Sequence, residues 1–139
     1  QKKSPEGQNK TYVRSHTAPR QTENKQDASE SVFLTKAIEL VEKNLHVPGY
    51  SVEQLSRDLC MERTGLYRKL VAMLDQSPSL FIRNIRLQRA AQLILEGSLS
   101  ITEIAERTGF SSSSYLSKCF QEMYGCRPSE YAEKMQKST

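Results

Sequence analysis

One pattern of residues occurs twice in this chain, and it limits the possible folds more than any other feature. Residues 51–70 read SVEQLSRDLCMERTGLYRKL, and residues 100–120 read SITEIAERTGFSSSSYLSKCF. Each stretch opens on a serine with Gln54 or Glu103 three positions later, the capping-box signature of a helix start. Each then gives a short amphipathic helix, a tight turn and a second amphipathic helix. Leu55, Leu59, Met61, Leu66 and Leu70 correspond to Ile104, Thr108, Phe110, Leu116 and Phe120, and the second copy holds one extra residue between turn and second helix. Any helical hairpin needs apolar spacing of this kind, so a single copy says little. Two copies with a rod between them say more.

The rod is predicted over residues 78–96. Ser77-Pro78 supplies an N-cap and a proline at the first helical position, and Gly97 supplies the stop. Phe81, Ile82, Ile85, Leu87, Ala90, Leu93, Ile94 and Leu95 run along it. A helix of about 18 residues spans roughly 27 Å. Two helices reading one face of duplex DNA sit about 34 Å apart, so this rod suits that purpose. Before the first repeat, Phe33, Ala37, Leu40, Val41 and Leu45 predict a helix over residues 31–45, ended by Pro48-Gly49. After the second, Gly125 and Pro128 separate off a short last helix around Tyr131. No segment alternates in the manner of a strand. The expectation is an all-α fold of about seven helices, with helix-turn-helix units at about 51–73 and 100–124. Residues 1–31 hold only Tyr12 and Val13 as sizeable apolar side chains and read as a flexible polar linker, the cut end of a longer protein. The folded domain is expected over residues 32–139.

With 139 residues the chain has room for one ordinary domain, or two very small ones sharing a boundary. Its longest apolar run, residues 70–74, is far too short to span a bilayer, so no membrane contact is expected of this segment. Three cysteines without a CxxC, and two histidines not spaced with them, argue against a zinc site or a disulfide framework and for small buried thiols. No nucleophile–base pair or phosphate loop is visible, so neither an enzyme nor a cofactor is expected. The net charge is +4, unevenly placed. Positions 63–89 hold Arg63, Arg68, Lys69, Arg83, Arg86 and Arg89 against a single acid, Asp75. That cluster suits a nucleic-acid partner. The rival reading is a helical protein-interaction module whose positive rod is incidental.

The second repeat and its tail, ITEIAERTGFSSSSYLSKCFQEMYGCRPSEYA, resemble the DNA-binding domain of AraC-type transcription regulators. The carrying residues are Ile104-Ala105, Gly109-Phe110, Phe120, Gly125, Pro128 and Tyr131. Residues 66–97, and the leading stretch FLTKAIELVEKNL, look most like the C-terminal output domain of Bacteroides hybrid two-component regulators. The resemblance implies sequence-specific binding of double-stranded promoter DNA and control of transcription, with carbohydrate-utilisation genes as targets. It further implies RNA polymerase as a partner, upstream receiver and sensor domains on the same polypeptide, and room for a dimer in the full-length protein. The implied location is the cytoplasmic nucleoid, with a parent that carries histidine kinase activity and is anchored in the inner membrane.

The second helix of each unit should enter the major groove with its N-terminal half. Leu66 and Leu70 must face inward, which leaves Arg63, Thr64, Tyr67 and Arg68 outside, at positions that match the family's contact positions. Arg68 is the expected base reader, because a guanidinium pairs bidentately with guanine. In the second unit Leu116 and Phe120 face inward, which leaves Ser112, Ser113, Ser114, Ser117 and Lys118. Small hydroxyls contact either base type, so this half should position more than specify. Ser113, Ser114, Ser117 and Lys118 are assigned to bases, and Ser112, Arg83 and Arg86 to phosphates. The plain alternative for Arg83 and Arg86 is surface ion pairing with Glu103 or Glu106. Three positions depart from the family pattern: Glu62 where serine often caps, Cys60 where the turn often has glycine, and Leu116 in place of an aromatic.

Overall fold

The computed structural model describes residues 24–138, and every element among them is a helix. Seven follow in order: α1 Asn24–Lys43, α2 Val52–Asp58, α3 Arg63–Leu74, α4 Pro78–Glu96, α5 Ile101–Arg107, α6 Ser113–Tyr124 and α7 Pro128–Ser138. The two repeats lie in α2–α3 and α5–α6, within a residue or two of the expected bounds. The expected rod is α4, with Ser77 Oγ accepting from the Leu80 N–H and Gly97 closing the helix in the left-handed region.

The first helix departs from expectation. It starts at Asn24 rather than 31, so residues 24–31, read as linker, are its opening turns. The stretch NKQDASE carries no apolar stripe, but it also lacks glycine and proline, and Lys25, Gln26, Ala28 and Glu30 are good helix formers. Residues 1–23, the rest of the expected linker, lie outside the described residues. The last helix, expected as a short one around Tyr131, runs over 11 residues, Pro128–Ser138.

Burial divides α4 in two. Its first half places Phe81, Ile82 and Ile85 in a core with Ala37, Val41, Leu55, Leu66 and Leu70. Its second half places Leu87, Ala90, Ala91 and Leu93 in a separate core with Ile104, Leu116 and Phe120. The rod touches each of the other six helices. Neither repeat could bury its own stripes without it, because a two-helix hairpin leaves one face of each stripe in water. In the second core, Phe120 stacks with Tyr124 (centroids 4.5 Å apart) and meets Tyr131 edge-on at 5.2 Å. The sequence spacing from Phe120 through Gly125 and Pro128 to Tyr131 thus has a mechanical reason. Gly125 ends α6 at φ 77, Pro128 starts α7, and Tyr131 folds back onto Phe120. Of the three thiols, Cys119 and Cys126 are buried as expected; Cys60 is exposed, which corrects the reading of all three as buried.

Candidate nucleic-acid interface

Helix α3 is anchored by Leu66 and Leu70, both fully buried. Positions 63, 64, 67 and 68 therefore point away from the core, and Arg63, Thr64, Tyr67 and Arg68 are all exposed. None of the four side chains makes a hydrogen bond or ion pair with another described residue. Glu62 occupies the N-cap with extended backbone but makes no side-chain cap bond. The opening N–H groups of α3 are thus left without a side-chain acceptor, at the positive end of the helix.

Helix α6 is the counterpart. Leu116, Cys119 and Phe120 turn inward. Ser112 caps the helix, its Oγ accepting from the Tyr115 N–H at 3.0 Å. Ser114 and Lys118 are exposed, while Ser113 and Ser117 are half-buried. The structure adds one residue that sequence reasoning missed. Tyr115 is exposed at the start of this helix and meets Phe110 edge-on at 5.9 Å. Its place next to inward Leu116 gave no hint of exposure. One contact decides it: the ring leans edge-on against the turn residue Phe110 at the margin of the second core and stays exposed.

The phosphate assignments fare differently. Arg86 is 6% exposed, and its guanidinium is surrounded by backbone oxygens. Nη1 donates to the carbonyls of Leu45 and Thr108, the latter at 2.8 Å, and Nη2 donates to Val47 at 3.2 Å. This corrects its assignment as a phosphate clamp, because the guanidinium is buried and both Nη atoms are spent on backbone carbonyls. Burial pushes its pKa down from the ordinary arginine value. A guanidinium titrates so high that it remains a cation. The register shows why it is inside. Arg86 lies four residues from both Ile82 and Ala90, on the buried stripe of α4. Arg83 is half-exposed, and its Nη1 lies 4.0 Å from Glu122 Oε1 rather than near Glu103 or Glu106. It lines an open cleft of about 530 Å³ between the starts of α4 and α6, with Ser77, Ser79, Ser111 and Tyr115. Arg89 is spent locally on Gln92.

Two hairpins on one rod, each with an uncommitted polar face at the start of its second helix, define a nucleic-acid-binding module. The chain belongs to the helix-turn-helix family: residues 55–134 match the helix-turn-helix domain. Within that family it is an AraC-type DNA-binding domain of a transcription regulator. It is similar to a transcriptional regulator with an AraC-type DNA-binding domain from Chromobacterium violaceum, at 30% identity and a TM-score of 0.70, over 77% of this chain and 95% of that one. The C-terminal domain of AraT, a response regulator from Geobacillus stearothermophilus, superimposes with a TM-score of 0.66 at 27% identity, over 73% of this chain and 84% of that one. Histidine kinase P4 of Formosa agariphila is 39% identical over 99 residues, which are 71% of this chain and 7% of the kinase. The chain spans about a third or less of the curated relatives it matches. Among the described residues no helix is long and apolar enough to cross a membrane.

Proposed function

We propose that this domain reads a two-part site in double-stranded promoter DNA, with α3 and α6 in successive turns of the major groove. Arg63, Thr64, Tyr67 and Arg68 meet base edges in one half. Ser113, Ser114, Ser117, Lys118 and the newly found Tyr115 serve the other. Ser112 and Arg83 take phosphates, Arg83 from the mouth of the cleft between α4 and α6. The observation that carries this reading is that the polar side chains exposed on α3 are not used inside the molecule, whereas Arg86 and Arg89, on the same basic stretch, are. Side chains with fixed donors and no internal partner are free to match a pattern outside.

In the longer protein the domain is the output of a two-component regulator. The likeness to a response regulator's C-terminal domain and to a short stretch of a histidine kinase supports this reading. Carbohydrate-utilisation genes are the proposed targets, with RNA polymerase as a partner at the promoter and the nucleoid as the place of action. The test is a binding titration across salt concentrations on promoter fragments. Affinity should fall steeply with salt as neutralised phosphates release counterions. A flat response would favour the rival reading, a helical protein partner.

A further inference from the structure

We infer that Arg86, seated against Gly109, is a positioning residue that fixes the separation and angle of α3 and α6, and so sets the half-site spacing the domain accepts. The inference rests on the two-part DNA reading above. Its basis is where Arg86 stands. Ile85 belongs to the first core and Leu87 to the second, so Arg86 sits on the boundary between them. From there Nη1 joins the Leu45 carbonyl, in the N-terminal unit, to the Thr108 carbonyl, in the turn that leads into α6. Nη2 reaches the carbonyls of Val47 and Tyr50, before α2, at 3.2 and 3.5 Å. One planar fork thus holds both units by their backbones.

Little else links them. Every substantial helix pair lies within one unit or includes α4. The direct ion pair between α4 and α6, Arg83 with Glu122, is long and partly exposed, and such pairs contribute little. Gly109 makes the close approach possible. It stands at φ 82, and a Cβ there would overlap Arg86 Nη1 and the Leu45 carbonyl oxygen, with Arg86 Cζ at only 2.7 Å. No carboxylate neutralises the buried guanidinium among the described residues; four backbone carbonyls accept from its two Nη atoms. A lysine keeps the charge but has no planar fork, so it cannot hold two units at once.

Linking two reading modules raises affinity far above either alone, but only while the link lets both engage together. Loosening it should spare each half and erode the preference for one spacing. The experiment uses a duplex that this chain selects from a randomised pool. Affinity is measured for that duplex, for versions with one base pair inserted or removed between the halves, and for versions with either half scrambled. With Arg86→Lys, binding to the single halves should stay within about twofold, while the preference for the selected spacing should fall by roughly tenfold or more. Residual dipolar couplings of the free protein should fit one alignment tensor in the parent and two in the variant. An unchanged spacing preference, or an equal loss on halves and whole, would overturn the inference. Should Arg86→Lys fail to fold, Gly109→Ala measured in the same way decides. If the chain selects no duplex, the DNA reading fails, and the couplings still judge the lock: a single tensor in the variant refutes it.

Discussion

Cys60 and Gly109 occupy the same place in the two repeats, and both are left-handed, at φ 58 and 82. The backbone bonds around them also match. The N–H of Met61 donates to Ser56 at 2.8 Å, and that of Phe110 donates to Ala105 at 2.9 Å. The repeat is therefore one of backbone geometry, and the cysteine has adopted the glycine's conformation without shifting the turn. For a residue with a Cβ that conformation costs about 1–2 kcal/mol.

Cys60→Gly should therefore stabilise the domain by roughly 0.5–1 kcal/mol, part of the relieved strain being offset by the freer unfolded chain. Gly109→Ala should destabilise it by about 2 kcal/mol or more, since backbone strain adds to the overlap with Leu45 and Arg86. Urea unfolding of both variants checks the opposed signs. Stabilisation by both, or by neither, would contradict the shared geometry.

Base reading and charge should separate by residue. Arg68→Ala should cost roughly 1–3 kcal/mol on the selected duplex and relax discrimination at one or two base pairs. Arg83→Ala should weaken specific and scrambled DNA alike and lower the salt slope by about one. Ser113→Ala or Ser114→Ala should each cost under about 1 kcal/mol, the value of one neutral hydrogen bond. Titrations of each variant against both DNAs at several salt concentrations decide. An equal loss on both DNAs for Arg68→Ala would make it a backbone contact.

The capping boxes predict an acid limb. Glu103 accepts from the Ser100 N–H at 2.9 Å, and that bond, first among its causes, holds its carboxyl below the usual glutamate range. Glu130 is lowered in the same way by the Arg127 N–H. A depressed carboxylate stabilises the fold fully above its unfolded pKa, near 4.5, and the gain is lost as pH falls through the folded value. Ser100→Ala removes the cap and should cost about 1 kcal/mol at neutral pH. Glu103→Gln should flatten the decline in thermal midpoint below pH 4.5; an unaltered acid limb would exclude this carboxylate as its source.

Phe120→Ala should cost roughly 3–5 kcal/mol, because it empties a fully buried site against Tyr124 and Tyr131. The damage should begin in the second core. In amide exchange, Leu116 and Ala90 should lose protection before Leu66 and Val41. Simultaneous loss in both cores would show that the two halves of α4 do not open separately.

Much of this was legible in the residues. Ser51, Ser77 and Ser100 announce helix starts by local hydrogen bonding, and Gly97 and Gly125 announce stops by backbone freedom. The outward register of Arg63, Thr64, Tyr67 and Arg68 follows from the inward one of Leu66 and Leu70. All of these depend on neighbours within about four positions. Such couplings survive in any fold that keeps the helix, so the sequence by itself determined the helices, the repeat and the polar face of α3. It did not determine where α1 begins, because an exposed helix needs propensity and no apolar stripe. Nor did it determine the fate of Arg86. Its charge argues for the surface and its register for the interior. Only the tertiary structure resolves that conflict, by bringing the carbonyls of Leu45, Val47 and Thr108 around one buried cation. Those partners lie from 22 to 41 residues away along the chain, beyond the reach of any local pattern. A buried cation is stable only when it is hydrogen-bonded, and these carbonyls come together around it only once both units are packed on α4.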